Sequence, residues 1–473
     1  MKIFLIRYHD TGDVNTRLPE SLNKVRGVMP PLGLAYVAAV LESAGYDVRI
    51  IDAMASNLIA DDIRQIFQKE KPDIVGVTSM LSNLKGALEA ARLAKEAGAI
   101  TVIGGPLLSL YPKQTLSYDV LDYGVIGEGE YPMLELVKAL EQKLNLSSVP
   151  GLVYKENGVV KANDPYIVSD LDKLPLPARH LLPIDKYSSI INHHPITTMI
   201  ASRGCPYKCG FCVKGPSDKK CRFRDPKKVV DEMEMLVKKY KIKEIMFYDD
   251  TLTSNRRFVF NVCNEIVKRN LKVRWESPTR VDCIDAELLR LMKKAGCIRL
   301  RYGVESGDER ILKIMNKGID LRKVKEAFRL TRNIGIETFA YFIIGYIYDT
   351  EESMSNTISF ARTLNPDFAM FTIATPYPTT SLQELAVKER LMDAGYWEQV
   401  VLNLRNDRLN YLVPDADAWI QKAYKGFYFR PNYMFRRLLK IRTLDDVKKH
   451  FQALRSIAGF KLTDEVNYQL NNG

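Results

Sequence analysis

"ITTMIASRGCPYKCGFC", residues 196–212, runs a short apolar strand straight into a loop that holds three cysteines. Cys205, Cys209 and Cys212 stand in the pattern C-x₃-C-x₂-C, three of the seven cysteines in a chain of 473 residues. Thiolates at this spacing can converge on one metal site from a single loop. Structural zinc sites usually draw four ligands from two separated pairs, and no second C-x₂-C or histidine pair follows here. A 4Fe–4S cluster commonly takes four cysteines. Three would leave one iron open to a substrate or cofactor, and Pro206 and Gly210 suit a loop that wraps such a cluster.

Working outward from the loop, residues 196–380 alternate between strands and helices. Strands are expected at "ITTMIAS", "EIMFYDD", "KVRWESP", "CIRLRYGVES", "ETFAYFIIG" and "DFAMFTIATP", separated by amphipathic helices of about 10–15 residues. Six such units predict an open or partial (β/α)6 barrel with its chemistry on the C-terminal rim. The cysteines fall on that rim. Asp249, Asp250, Arg280 and Glu305 also end rim strands, where a charge seldom serves packing alone. Helix capping is the plainer account of the two aspartates.

Residues 1–145 carry a second alternation: "KIFLIRY", "YDVRIID", "DIVGVTS", "ITVIGG" and "YGVIGEG" as strands, with helices that end near Gly45 and Gly98. This is α/β patterning for a Rossmann-like, doubly wound parallel sheet, which binds ligands beyond the carboxyl ends of its strands. Asp52, Thr78, Ser79, Gly104, Gly105, Gly127, Glu128 and Gly129 lie at those ends. Residues 146–195 read as a linker with a hairpin turning at Asn157-Gly158. Residues 381–473 read as a helical C-terminal region.

The chain has a formal net charge of +12 and 46% apolar residues, the balance of a globular protein with an acidic ligand, anionic membrane or nucleic-acid partner. An odd cysteine count argues against a disulfide framework and for a reducing compartment. No run of 18 apolar residues occurs. "MKIFLIRY" enters a strand directly, without the pattern of a signal peptide, so a cytoplasmic protein is expected.

"CPYKCGFC" after a first strand, with Phe211 before the last cysteine, resembles the signature of the radical S-adenosylmethionine (SAM) superfamily. The resemblance extends over 196–380, through "FYDDTLT" (247–253), "WESPTRVD" (275–282), "YGVESGDERIL" (302–312) and "FAYFIIGY" (339–346). It implies a 4Fe–4S cluster on Cys205, Cys209 and Cys212, whose open iron chelates SAM and generates a 5′-deoxyadenosyl radical. It also implies SAM contacts from Asp249, Asp250, Glu276, Arg280, Glu305 and Gly345, and an electron donor such as ferredoxin or flavodoxin. Relatives usually continue with Pro-Gly-Glu after Gly345; this chain has Tyr346-Ile347-Tyr348-Asp349.

"PPLGLAYVAAVLESAGYDVRIID", "GGP" (104–106) and "GEGE" (127–130) resemble the cobalamin-binding domain fused to many such enzymes. These include class B methyltransferases and the anaerobic magnesium-protoporphyrin ester cyclase type. The resemblance makes 1–145 a cobalamin-binding domain and 196–380 the radical SAM barrel. The Asp-x-His-x-x-Gly motif of other cobalamin proteins is missing, and His9 stands at the wrong spacing. No histidine is therefore expected below the cobalt.

The expected function is methylation of an unactivated carbon. The alternatives are oxidative cyclisation or ring rearrangement on a porphyrin or lipid, and a non-catalytic cobalamin- or cluster-dependent sensor. Cys221, Cys263, Cys283 and Cys297 read as inert thiols, with a minor ligating role open to Cys221. His193 and His194 read as linker or surface residues. Segment 419–450 carries nine Lys/Arg and seven aromatics. It reads either as a face packed on the barrel or as a contact for anionic membrane or lipid substrate; no RNA-binding module is recognisable, so nucleic acid is not expected.

Overall fold

The computed structural model of the protein describes residues 1–9, 27–189, 191–215, 220–407 and 409–439. Strands β1 (Lys2–Arg7), β2 (Asp47–Asp52), β3 (Ile74–Thr78), β4 (Ile100–Gly104) and β5 (Tyr123–Val125) lie in the order 2-1-3-4-5, all parallel. Both faces are covered. Ile3 and Leu5 of β1 pack with helices Leu32–Ser43 and Glu130–Gln142, while Phe4 and Ile6 pack with Ala60–Glu70 and Leu84–Glu96. Burial on both faces is why the strands read as unbroken apolar runs. The order places a switch point between β1 and β3, at the carboxyl edge.

The hairpin of the expected linker forms as β6 (Leu152–Glu156) and β7 (Val159–Ala162). It is not a free spacer. β6 pairs antiparallel with β5, so the sheet grows to seven mixed strands. Leu152 and Tyr154 enter one face of the core and Val153 the other. Burial of both faces holds the hairpin to the sheet.

Strands β8 (Ile196–Met199), β11 (Glu244–Phe247), β12 (Trp275–Thr279), β13 (Cys297–Glu305), β14 (Glu337–Ile344) and β15 (Phe368–Ile373) run side by side in chain order, all parallel. β8 and β15 are the two edges, so the sheet is an open half-barrel. Short strands β9 (Ser202–Arg203) and β10 (Arg222–Phe223) pair antiparallel and frame the cysteine loop. Asp225, Asn255, Asp285, Asp308, Asp320 and Thr350 each cap a barrel helix by accepting backbone N–H groups, a contribution of about 1 kcal/mol apiece.

The aromatic C-terminal segment serves the edge strand. On the helix Ala416–Tyr428, the Tyr424 hydroxyl donates to Phe371 O (3.0 Å) and accepts from Phe371 N (3.2 Å). The Tyr428 hydroxyl does the same for Ala369 (2.6 and 3.0 Å). Four helical residues rise about 6 Å and two strand residues about 6.6 Å, so tyrosines four apart meet strand groups two apart. Tyr433 then donates to Asp367 O (2.9 Å). Arg430 and Arg436 donate to carbonyls of Arg362 and Asn365, and Arg437 lies over Phe368 (4.4 Å). Three of the five cations in 419–439 are thus tied to the barrel. Residues 440–450 of the segment lie outside the described residues.

Candidate active site

The cysteine loop is fixed by the scaffold around it. Gly204, in the left-handed region at φ +92°, leads out of β9, and its N–H donates to Asp250 Oδ2 (3.1 Å). Gly210 N donates to Met315 O and Gly210 O accepts from Leu382 N, both at 2.8 Å. Asn316 Nδ2 donates to Lys208 O (2.7 Å), and Lys214 Nζ to the carbonyls of Cys205 and Tyr207. The barrel and the helix Ser381–Lys388, which carries Leu382, together therefore set the loop's path.

Cys209 and Cys212 are brought together. Cys212 N donates to Cys209 O (3.2 Å), and the neighbouring Cys212 side chain, aided by Lys317 and Arg280, lowers the Cys209 thiol to about 6. The Cys212 thiol rises in turn, mainly because of the adjacent Cys209 side chain and burial. Cys205 Sγ instead lies 3.7 Å from Thr251 Oγ1. Among the described residues no three His, Cys, Asp or Glu side chains are already gathered as a metal site.

Three observations fit the loop to an iron–sulfur cluster. Three thiols share one short loop, all at least partly accessible. Two buried cations attend them: Arg280 Nη1 is 3.9 Å from Cys209 Sγ, and Lys317 is ion-paired to Glu305 at 2.7 Å. Such charges favour thiolates. Finally, the buried Tyr346 hydroxyl beside Gly210 has no hydrogen-bond partner among the described residues, and leaving such a group unmet costs about 1–3 kcal/mol.

Arg280 is held by Asp282 through two bonds of 2.9 Å and stacks on Tyr207, 3.8 Å from the ring centroid. Glu305 is buried at φ +68°. Gly345 has φ +72°, and a Cβ there would stand 2.9 Å from Ala416 Cβ. After Gly345, Asp349 closes the turn by accepting from Tyr346 N (2.9 Å) while its own N–H donates to Tyr346 O (2.8 Å).

Other sequence-predicted residues have different work. Glu276 is no rim residue: its oxygens accept from Arg299, Arg301 and Asn192 in a buried network with Glu244 and Glu337. Glu244 and Glu337 begin β11 and β14, so this network is the floor of the half-barrel. Asp249 is buried and accepts from Ala201 N and Ser202 Oγ, which tethers the approach to the cysteine loop. Only Asp250 of that pair is exposed.

The cobalamin-side residues divide the same way. Asp52 is buried and spent on Arg7 (2.9 and 2.6 Å), the Tyr187 hydroxyl (2.8 Å) and the Ala55 N–H. Glu128 holds Arg222 through two bonds of 2.8 and 2.7 Å and accepts from Val168 N. Neither carboxylate is free for a ligand. Gly105 (φ +107°) and Gly127 (φ +80°) are required by the chain itself, since a Cβ would stand 2.4 Å from Ser79 O or 2.7 Å from Tyr166 O. Ser79 is buried. At Gly104 and Gly129 a Cβ would meet nothing closer than 3.7 Å. With Thr78, these positions leave backbone at the carboxyl edge clear for a bulky planar group, which fits a corrin.

The two edges face one another. Arg203, one residue before Gly204, pairs with Glu130 (2.5 Å) and Glu128 (3.3 Å) and covers Tyr36 (5.3 Å). Leu81 and Tyr111 of the N-terminal domain pack in one cluster with Phe211 and Tyr346. The "GEGE" motif thus clamps the first domain onto both strands that frame the cysteine loop. Sequence reasoning missed Arg203, Arg222, Lys317 and Tyr207 as site residues. Arg203 and Tyr207 were signalled by adjacency to the cysteines; Lys317, in the turn after a short helix, had no motif.

Among the four remaining cysteines, Cys263 and Cys297 are buried, as expected. Cys283 lies 2.9 Å from the Tyr207 hydroxyl, and burial pushes its thiol up. Cys221 Sγ donates to Gly204 O (3.4 Å). His9 Nε2 is 2.6 Å from Leu58 O, and His194 Nδ1 is 3.0 Å from Tyr187 O. A cavity of about 400 Å³ lies between helix Leu84–Glu96, the end of β15 and segment 396–411, but no cysteine lines it.

An open parallel half-barrel with a three-cysteine rim loop, joined edge to edge with a doubly wound domain, defines a class, and known proteins agree with it. Residues 21–137 match the B12 binding domain and residues 199–361 the radical SAM superfamily. An uncharacterised methyltransferase of Pyrococcus horikoshii is 34% identical over 433 residues, covering 89% of this chain and 94% of that protein. An anaerobic magnesium-protoporphyrin IX monomethyl ester cyclase of Rubrivivax gelatinosus is 34% identical over 399 residues, covering 82% and 72%. The fold is shared with the radical SAM methyltransferase TsrM of Kitasatospora setae, solved with cobalamin and a 4Fe–4S cluster. That match has a TM-score of 0.73 at 17% identity and covers 96% of this chain and 99% of that one.

The chain belongs to the cobalamin-binding radical SAM enzymes. Its cofactors are cobalamin, SAM and a 4Fe–4S cluster. Among the described residues no helix is long and apolar enough to cross a membrane.

Proposed function

We propose that this enzyme transfers a methyl group to an unactivated carbon of a small-molecule substrate, a lipid or porphyrin, taking electrons from a ferredoxin or flavodoxin. The observation that supports it most is the clamp of Glu128 and Glu130 on Arg222 and Arg203, which holds the cobalamin edge against the cysteine loop. When bound, cluster and SAM supply radical initiation, and cobalamin supplies the methyl carrier. This chain's residues orient and enclose: Arg280 and Lys317 favour thiolates, and the Phe211–Tyr346 cluster excludes water beside them. Cofactors carry the difficult chemistry, and the protein supplies their positions. The cyclase relative favours a second reading, oxidative ring formation at the same site.

The test is anaerobic reconstitution with SAM labelled in its methyl group, a chemical reductant, and candidate lipids and porphyrins. Label appearing in the product together with 5′-deoxyadenosine supports methyl transfer. An unlabelled, oxidised product with 5′-deoxyadenosine supports cyclisation. Release of neither 5′-deoxyadenosine nor labelled product from any candidate counts against both readings.

A further inference from the structure

Tyr346 carries a polar atom that the fold does not use. Its ring is fully buried among Ile311, Leu312, Met315 and Leu382, with Phe211 edge-on at 6.5 Å and 86°. A phenylalanine would satisfy all of that packing. The hydroxyl finds no acceptor among the described residues. It lies against the backbone between Cys209 and Cys212: a methyl group built on Gly210 would stand 3.3 Å from the phenolic oxygen. A hydroxyl with no partner among the described residues therefore sits against the stretch of loop that carries the cysteines.

We infer that Tyr346 donates a hydrogen bond to a sulfur of the cluster on its Cys209–Cys212 side and so sets how readily the cluster accepts an electron. The inference rests on the cluster reading above. Sulfur gains negative charge on reduction, so a donor stabilises the reduced form more than the oxidised one, and hydrogen bonds to sulfur are among the factors that set cluster potential. Arg280 and Lys317 supply charge to the same thiolates, but neither fills the position of the phenol. Tyr346 is thus a positioning and tuning residue. It transfers no proton and no electron.

The experiment uses the full chain, wild type and Tyr346→Phe, reconstituted anaerobically with iron and sulfide. Iron content is measured first, then the reduction potential by EPR-monitored titration, and finally hyperfine coupling to protons that exchange in deuterated water. The expected result is equal iron content, a more negative potential in Tyr346→Phe, and one exchangeable proton coupling present only in the wild type. Equal potentials and identical couplings would overturn the inference. If Tyr346→Phe fails to hold iron, the wild-type coupling decides alone, and its absence overturns the proposal. If neither protein binds iron, the cluster reading itself falls, and this inference with it.

Discussion

The two edges that meet in this protein are built on opposite plans. In the reading proposed above, the barrel rim meets its cofactor with side chains: three thiols, Arg280, Lys317 paired to Glu305, and the Tyr346 hydroxyl, which has no partner among the described residues. In the same reading the N-terminal edge meets its cofactor by leaving side chains out: a Cβ at Gly104 or Gly129 would meet only ordinary van der Waals neighbours, none closer than 3.7 Å. Its carboxylates, Asp52 and Glu128, are turned inward to hold the chain together. A small, charged, covalently ligated cluster needs directed donors. A wide corrin needs backbone that can come close.

The largest effect that breaks this comparison is at the thiols. Replacing Cys205, Cys209 and Cys212 together with alanine should abolish iron binding. The wild type is expected to take up about four irons per chain, the content of one four-iron cluster, and to show thiolate–iron absorbance near roughly 400 nm (order of magnitude). Cobalamin binding, read from its own absorbance, should survive the triple change. A full cluster retained by the variant would refute the assignment of the loop.

At the other edge, two neighbouring glycines should part company. Gly105→Val forces a side chain onto φ +107° with a Cβ 2.4 Å from the Ser79 carbonyl, a backbone strain on the order of 1–3 kcal/mol before any clash is counted. It should lower the melting temperature with or without cobalamin. Gly104→Leu places its Cβ in ordinary contact, 3.8 Å from Val125 O, and should fold like the wild type, yet bind hydroxocobalamin about tenfold more weakly, or about 1.4 kcal/mol. Equal cobalamin affinity in Gly104→Leu would remove that glycine from the corrin surface.

How much of this was legible in sequence follows from the same contrast. Strand positions and the cysteine loop could be read because apolar runs, helix caps and a tight cysteine spacing are local patterns. Which carboxylates are free could not. Asp52, Asp249 and Glu276 all end or enter strands as a ligand-binding residue would. Their partners are Tyr187, Ser202 and Arg299. Tyr187 lies 135 positions from Asp52 and Ser202 lies 47 from Asp249. A charge that a distant residue neutralises looks identical, in one dimension, to a charge awaiting a ligand.

Asp249 offers a smaller and pH-dependent test. Burial pushes its carboxyl up to about 7, despite the bonds from Ser202 and Ala201 that pull it down; unfolded, it would titrate near about 3.9. Between those values the folded state holds a proton that the unfolded state has lost. This group's contribution is therefore full at low pH, declines as pH rises through that window, and is constant above it. At about 1.4 kcal/mol per unit the slope is measurable. Denaturant titrations from pH 5 to 8 should show stability falling more steeply with pH in the wild type than in Asp249→Asn. Parallel pH profiles would show that the carboxylate is already charged in the fold, accepting its bonds as an anion.

The smallest expected effect lies away from both edges, where the C-terminal helix covers β15. Tyr428 both donates to and accepts from Ala369, and Tyr424 does the same for Phe371. An edge strand with unpaired backbone groups invites pairing with other chains, and these hydroxyls close it without adding a strand. Tyr428→Phe keeps the ring and removes the bonds, leaving a partly buried N–H and carbonyl unmet. The expected loss is about 1–3 kcal/mol of stability, with iron content and cobalamin affinity unchanged. The aromatic and basic composition of 419–439 would then be explained by the barrel, because Arg430, Arg436 and Arg437 already face it. Sedimentation with anionic and neutral vesicles at low salt completes the test, since free surface cations would each add on the order of 1 kcal/mol to binding anionic lipid. Anionic vesicles that pull down the protein, combined with full stability in Tyr428→Phe, would reverse the argument. The segment would then be a lipid contact that happens to rest on the barrel, and the lipid class of substrate would gain its first direct support.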